Sequence, residues 1–445
     1  MTIHFRRKLF GFFIVLFIII GIGVVLYSQG YRLDTNSFSL TKIGAVYIES
    51  YQSPINIYLN DTYYKDKSGL LTKGTLLASI IPQKYRLSIQ KDGFLEYTKN
   101  IEVSPSQVTR FFNVLLVPQN IAYATSTIAS SSSTVLDALT TQGAIAHETT
   151  ARGTQYTLLT IPNLTTATPT SLSINKTLAT VSKQKFSQFL FYSNNPSELL
   201  ATSSVGTYRI NLGEPSVTFL ASSTLPYAYT IQDNFLTFVS PQLAATTTKT
   251  KQIKETNPLA NIIQLNISSG ATTSVTLTTP QRVGTITSLY AKNNYLALIT
   301  TDKSLILYNN DSHTEIVISQ NALSALFSPD AKKLLYRTVD GKIHIYFIKD
   351  ELEIMDAKAG DDITLSLIDT SHIQTMVWYQ DSTHLIVTYP NQIKIAEVTQ
   401  KEPNEQFTLW NGPYRMVAYA PDQNLLTIAT SSTEIAQIDF NLFIK

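Results

Sequence analysis

The side chains that could carry acid–base or metal chemistry in this chain are few and scattered. Six histidines stand at positions 4, 147, 313, 344, 372 and 384. His344 lies within the segment from Lys342 to Ile348, out of phase with Ile343, Ile345 and Phe347, as expected for a residue on one face of a strand. His372 and His384 are near enough in sequence to occupy neighbouring strands or turns of one unit. A metal pair there is the sharper reading, and two unrelated strand histidines the preferred one. Asp350, Glu351, Glu353, Asp356, Asp361 and Asp362 crowd into DELEIMDAKAGDD. Carboxylates at that density can hold Ca²⁺, but their spacing departs from the EF-hand loop, so a solvated acidic loop is expected.

Motifs with a built-in mechanism are absent. The sequence has no Gly-x-Ser-x-Gly elbow, no His-Glu-x-x-His, no P-loop and no Gly-x-Gly-x-x-Gly. The absence of cysteine removes thiol nucleophiles, disulfides, cysteine metal sites and a lipid-bearing N-terminal cysteine together. No catalytic, cofactor-binding or metal residue is therefore assigned, no cofactor is expected, and the chain reads as a non-enzyme. The competing reading is an enzyme acting on surface carbohydrate or peptide. For carbohydrate this would require a pair of carboxylates that nothing in the sequence singles out.

The elements that would position such residues follow from composition. A chain of 445 residues is expected to form two or three folded units. Lysine and arginine number 34 against 32 acidic residues, a net charge of +2, which generates no field able to hold a nucleic-acid backbone. Nucleic acid is not an expected partner. Only 15% of residues are charged, while Thr, Ser, Tyr, Ile and Leu dominate, as suits half-buried pleated surfaces. The expected class is all-β.

Residues 9–28, LFGFFIVLFIIIGIGVVLYS, are an uninterrupted apolar run of about twenty, enough as a helix to cross the hydrocarbon layer. Arg6, Arg7 and Lys8 precede it, and only Arg32 and Asp34 follow closely, so the positive-inside rule puts residues 1–8 in the cytoplasm and the bulk outside. A cleaved signal peptide is the competing reading. The run is longer than a usual signal core and no small-x-small site follows, which favours a single-pass anchor in the cell membrane.

After Ala45 the period becomes two. Ile55, Ile57 and Leu59 alternate with Asn56, Tyr58 and Asn60, and Asn60-Asp61 makes a turn. Tyr85, Leu87 and Ile89 alternate with polar neighbours, and Lys91-Asp92-Gly93 supplies a hairpin turn before Phe94. A third alternation through Val108, Arg110, Phe112, Val114 and Leu116 stops at Pro118. Residues 43–118 are thus expected to be a small β-domain. Ser53-Pro54 before INIYLND, and the segment IPQKYRLSIQKDGFLEY, resemble the PEGA domain, although Pro54 is followed by Ile55-Asn56-Ile57 where that family has Glu-Gly-Ala. The resemblance implies a β-sandwich spacer or binding module outside the cytoplasm, with no catalytic residues.

Residues 119–134 read as a Ser/Thr-rich linker, with ATSTIASSSST at residues 124–134. Residues 246–258, TTTKTKQIKETNP, read as a solvated loop inside a domain. Beyond the linker, three-strand segments begin near Phe189, Leu289, Phe327, Trp378 and Tyr419, recurring every ~40 to 60 residues, the mark of a β-propeller. Residues 135–445 leave room for about seven blades. Ser328-Pro329-Asp330 and Ala420-Pro421-Asp422, each after an aromatic residue, resemble the blade signature of TolB-like and WD-repeat-like propellers. Together the two resemblances imply a bacterial surface protein. The expected function is a membrane-anchored extracytoplasmic scaffold whose partner is an unidentified envelope protein or glycan.

Overall fold

The computed structural model describes residues 3–34, 39–69, 72–127, 135–150, 153–161, 171–179, 186–192, 195–221, 229–232, 235–240, 261–276, 286–366, 370–399 and 404–444. The expected loop at 246–258 lies outside them, as do residues 128–134 of the expected linker.

A helix, Ile3–Ser28, opens the chain. Its stretch Leu9–Ser28 has a mean hydropathy of 3.1 and is not buried against the rest of the protein, so it is long and apolar enough to cross a membrane. A short hairpin of Tyr31–Asp34 and Ser39–Lys42 follows.

Residues 44–114 build two packed sheets. Gly74–Ile80, Gly44–Ser50 and Val108–Val114 form one, and Thr62–Lys65, Asn56–Leu59, Lys84–Gln90 and Tyr97–Glu102 the other. Val46, Ile48 and Leu77 from the first meet Ile57, Leu59, Leu87 and Ile89 from the second in one core. The expected alternation from Val108 to Leu116 is corrected here. Val108 is exposed and Phe111, not Phe112, is buried. The register against Gly44–Ser50 slips between Phe111 and Val114, where Asn113 takes a φ of 56°. An extra residue in a strand reverses the side chains beyond it, so Phe111 and Val114 both point inward.

Among the described residues seven more four-stranded antiparallel sheets follow, six of them simple meanders. First strands of neighbouring sheets touch: Val135–Leu139 meets Phe186–Phe191, Ile286–Lys292 meets Ala322–Phe327, and Val135–Leu139 meets Met416–Ala420. The arrangement is a β-propeller. Second strands such as His384–Tyr389 and Leu425–Ala429 are buried at every residue, because neighbouring sheets cover both faces. They therefore read as apolar runs rather than alternations.

The last sheet corrects the expected linker. Its outer strand is Ala124–Thr127, paired antiparallel with Glu434–Asp439 from the far end of the chain. These four residues have little apolar surface, but an outer strand needs only backbone donors and acceptors. At the C-terminus the strand Glu434–Asp439 ends at Asp439, whose side chain accepts from Asn441 N–H and caps a 3₁₀ turn, Phe440–Leu442. The turn buries both Phe440 and Phe443 and leaves Leu442 exposed.

Phe440 packs on the rings of Tyr379, Tyr419 and Phe443. Phe440→Ala is expected to cost about 3–5 kcal/mol. Leu442→Ala should stay within roughly 0.5 kcal/mol. Urea midpoints of the two variants, compared with the parent, check this, and equal effects would contradict the turn.

Candidate functional site

In a four-stranded meander the first and third turns lie at one end of the sheet, and the second turn and the link to the next sheet lie at the other. The first turns here are the Pro-Asp segments and their equivalents. Asp330 precedes Lys333, and Asp381 precedes His384, by three residues, placing a carboxylate beside the first residue of each second strand. Asp381 Oδ1 accepts from the N–H groups of Thr383 and His384 at 2.8 and 2.9 Å, and its Oδ2 accepts from His384 Nδ1 at 2.6 Å. The turns are also tied laterally: Ser382 Oγ accepts from Asp330 N–H at 3.1 Å, and Tyr419 Oη from Gln380 N–H at 3.3 Å.

The small β-module sits on this end of the sixth and seventh sheets. Leu115 and Val117, which follow its last strand, join Tyr379, Ile395, Leu426, Phe440 and Phe443 in one core, while Leu116 between them faces the module's own interior. Gln52 is fully buried. Its amide nitrogen donates to the carbonyls of Leu116 and Phe443 at 2.9 and 2.8 Å, and its oxygen accepts from Leu116 N–H at 3.0 Å. Around this apolar centre lie charges. Lys99 Nζ, fully buried, is 2.7 Å from Glu397 Oε2, and Tyr97 donates to Glu397 Oε1 at 3.0 Å. Thr98 donates twice to Glu405, and Tyr51 donates to Asp381 Oδ2 at 3.2 Å.

Burial alone would lower the His384 imidazole's pKa. The adjacent Asp381 carboxylate and its hydrogen bond outweigh that and hold it above the ordinary range. Burial likewise pulls Asp381 up, yet the His384 charge and the turn's hydrogen bonds hold its carboxyl below the ordinary value. Burial, with the Glu397 carboxylate next in weight, pushes the Tyr97 phenol well up. The Lys99–Glu397 pair joins the module to the sixth sheet, and Tyr97 bonds to the same carboxylate, so these charges add cohesion between the two.

The remaining sequence candidates are not assembled. His147 pairs with Asp137 at 2.7 Å, His313 accepts or donates at Tyr308 Oη at 2.9 Å, and His344 stacks on Tyr336 at 5.0 Å. His4 lies in the N-terminal helix. His372 precedes the first strand of the sixth sheet, Thr375–Trp378, and His384 begins its second strand, so the two stand at opposite ends of that sheet and do not form a pair. The acidic segment is solvated as expected at Asp350, Glu353, Asp356, Asp361 and Asp362, which are exposed, but not at Glu351. Glu351 is buried against Lys333 at 3.5 Å and Lys332 at 3.2 Å, Met355 and Ala357 enter the core, and Asp362 begins a strand. Among the described residues no group of three or more His, Asp or Glu is placed to hold a metal. Sequence reasoning missed the buried cations. Lys99 falls in phase with Tyr97 and Ile101, a lysine among core positions, and that was the available signal.

The opposite end of the propeller carries no module among the described residues. A cavity of about 280 Å³ opens there between the fourth, fifth and sixth sheets, lined by residues that include Tyr290, Ser324, Arg337 and Gln374.

No family model and no curated protein matches the chain. Solved structures that resemble it include PorZ, described as an essential bacterial surface component of the type-IX secretion system of Porphyromonas gingivalis, at 12% identity and a TM-score of 0.40. That likeness covers 70% of this chain and 37% of PorZ, so the chain spans well under half of that protein's length. The Cps50 (Swd1) β-propeller domain of Myceliophteria thermophila aligns at 11% identity and 0.41, over 71% of this chain and 99% of the domain. Oligogalacturonate lyase of Vibrio parahaemolyticus aligns at 8% and 0.46, over 71% and 96%. The assignment of the fold rests on the sheet order described above.

Two outcomes are expected at the interface. Glu397→Ala strands a buried ammonium and should destabilise by about 3–5 kcal/mol, whereas Lys99→Met with Glu397→Gln removes both charges and should cost much less. Denaturant midpoints of the two variants decide it, and equal losses would contradict a charge-based role. For His384 the raised value means its contribution is complete below about pH 6.5 and is lost as pH rises through the raised value. For Asp381 the lowered value means a contribution present above about pH 3.9 and lost on acidification. Melting temperature should therefore fall on both sides, and His384→Gln should flatten the alkaline fall.

Proposed function

We propose that the chain is a membrane-anchored extracytoplasmic scaffold that binds a protein or glycan of the cell envelope and performs no catalysis. In this reading residues 9–28 are an uncleaved anchor, residues 1–8 remain in the cytoplasm, and residues 43–118 are a PEGA-like module that holds the propeller at a fixed attitude to the membrane. The observation that carries the reading is the docking of that module on the sixth and seventh sheets at one end of the propeller, which commits that part of the end to internal cohesion. The other end, formed by the second turns and inter-sheet links, is then the face available to a partner. Val339 lies in such a turn and is 58% exposed. The basic cluster Arg6, Arg7 and Lys8 before the apolar run supports the orientation.

Protease added outside wall-stripped cells is expected to digest residues 40–445, and the intact chain should stay with membranes through a carbonate wash. A mature N-terminus at or beyond residue 28 would refute the anchor, and protection of the bulk would reverse the orientation. A photocrosslinker at Val339 should give one reproducible adduct in native membranes, and the same group at Leu442 should give none. Adducts only from Leu442 would move the binding face to the other end.

A further inference from the structure

The hairpin between the apolar helix and the β-module presents a face that the scaffold reading has not used. Tyr31–Asp34 and Ser39–Lys42 pair so that Tyr31 stands opposite Lys42 and Leu33 opposite Leu40. Opposite residues, and residues two apart along a strand, share a face, so these four lie on one side of the ribbon. Leu33 is 57% exposed and Leu40 52%. A lone two-stranded hairpin has no core of its own and is barely stable in water. Its leucine face therefore calls for a cover from outside its two strands.

The helix decides what lies nearest. Leu9–Ser28 is long enough to fill the roughly 30 Å hydrocarbon layer, and the hairpin begins almost at once after it. Gly30, at a φ of 85°, turns the chain. Its N–H donates to the Tyr27 carbonyl at 3.1 Å, and its own carbonyl accepts from Ile43 N–H at 2.9 Å, so the hairpin is bonded to the helix end. The base of the ribbon thus stands at headgroup level. Its side chains suit that layer. Tyr27, 64% exposed, and Tyr31 are amphipathic rings of the kind that collect at membrane–water boundaries. The Arg32 guanidinium lies 3.5 Å from the centre of the Tyr27 ring, and the Lys42 ammonium 5.8 Å from that of Tyr31. A second copy of the chain would bring like charges against these cations, whereas a layer of phosphates complements them.

We infer that this hairpin is a lipid-binding element, in which Leu33 and Leu40 enter the outer edge of the acyl layer while Lys42 and Arg32 pair with phospholipid phosphates. The inference rests on the reading of residues 9–28 as an anchor and adds a second membrane contact to it. That contact also bears on the module. Ile43, which closes the hairpin on Gly30, accepts through its carbonyl from the module's Ser106 N–H at 2.9 Å, so a hairpin seated in the headgroups braces the module against the membrane.

The test uses the full chain, which has no cysteine of its own, with an NBD fluorophore on a single introduced one, in vesicles of phosphatidylcholine and phosphatidylglycerol. The label at Leu33→Cys or Leu40→Cys should emit at shorter wavelength than at Val339→Cys. Lipids carrying a nitroxide near the glycerol backbone should quench both hairpin sites and leave Val339→Cys unquenched. Adding Leu33→Asp to Leu40→Cys should abolish the quenching there. Phe17→Cys reports the anchor separately, through quenching by a nitroxide at the end of the acyl chain. Quenching at Phe17→Cys with none at the hairpin would overturn this inference and spare the anchor. A blue shift at the hairpin that lipid nitroxides do not quench, the sign of a protein cover, would overturn it as well, and so would quenching that survives Leu33→Asp. An unquenched Phe17→Cys would overturn the anchor reading and this inference with it.

Discussion

The antiparallel pairing of Ala124–Thr127 with Glu434–Asp439 is the constraint on which the other contacts turn. A row of sheets that each bury a face against the next has two unfilled ends. Supplying the last sheet's outer strand from before the first sheet joins those ends. Because residues 44–114 immediately precede that strand, closing the propeller also delivers the module to the end where it docks. Leu115 and Val117 then fill the space beside Phe440 and Phe443, and Gln52 bonds to the last turn. Closure and docking are two aspects of one geometry.

The charges at the docked end refine this geometry rather than drive it. Apolar contact between Leu115, Val117, Tyr379 and Leu426 supplies the non-directional attraction. It would tolerate small rotations of the module. Lys99 on Glu397 and Tyr51 on Asp381 would not, because a shift of an ångström or two leaves a buried ion without its partner. The same division holds in the fifth sheet, where Glu351 draws an acidic segment down onto Lys333 and carries Met355 into the core.

Much of this architecture could be read from residue patterns, and the misses share a cause. Second strands are covered on both faces, so YLALIT and HLIVTY stand out as apolar runs, and the segments at Phe189, Leu289, Phe327, Trp378 and Tyr419 follow from them. Outer strands have one neighbour and little burial. Thr314–Ser319 exposes Ile316 and Val317, and Ala124–Thr127 looks like a linker because only its backbone is needed. The phase of Val108–Val114 failed at Asn113, since a bulge is set by tertiary pairing and not by local composition. As for the site, Lys99 and His384 can be suspected from their positions among buried residues, and Asp381 stands three residues before His384, but Glu397, the partner of Lys99, comes from another sheet and leaves no trace in spacing. The Arg337 cavity is likewise made by three sheets that only the fold brings together.

The join between the chain's two ends also has a consequence for how the protein comes into being. Gln52 and Phe443 are separated by 391 residues, and their contact cannot exist until Phe443 has been synthesised. Contacts of such long range fold slowly, because loop closure must be met before any packing rewards it. Until then the first sheet has no neighbour on one side and the strand edge awaiting Ala124–Thr127 has not been made. Nascent chains would therefore pass through a stage with open strand edges, the form most apt to pair with the wrong molecule. A tether at the N-terminus would keep one half of the missing seam close to the point where the other half emerges.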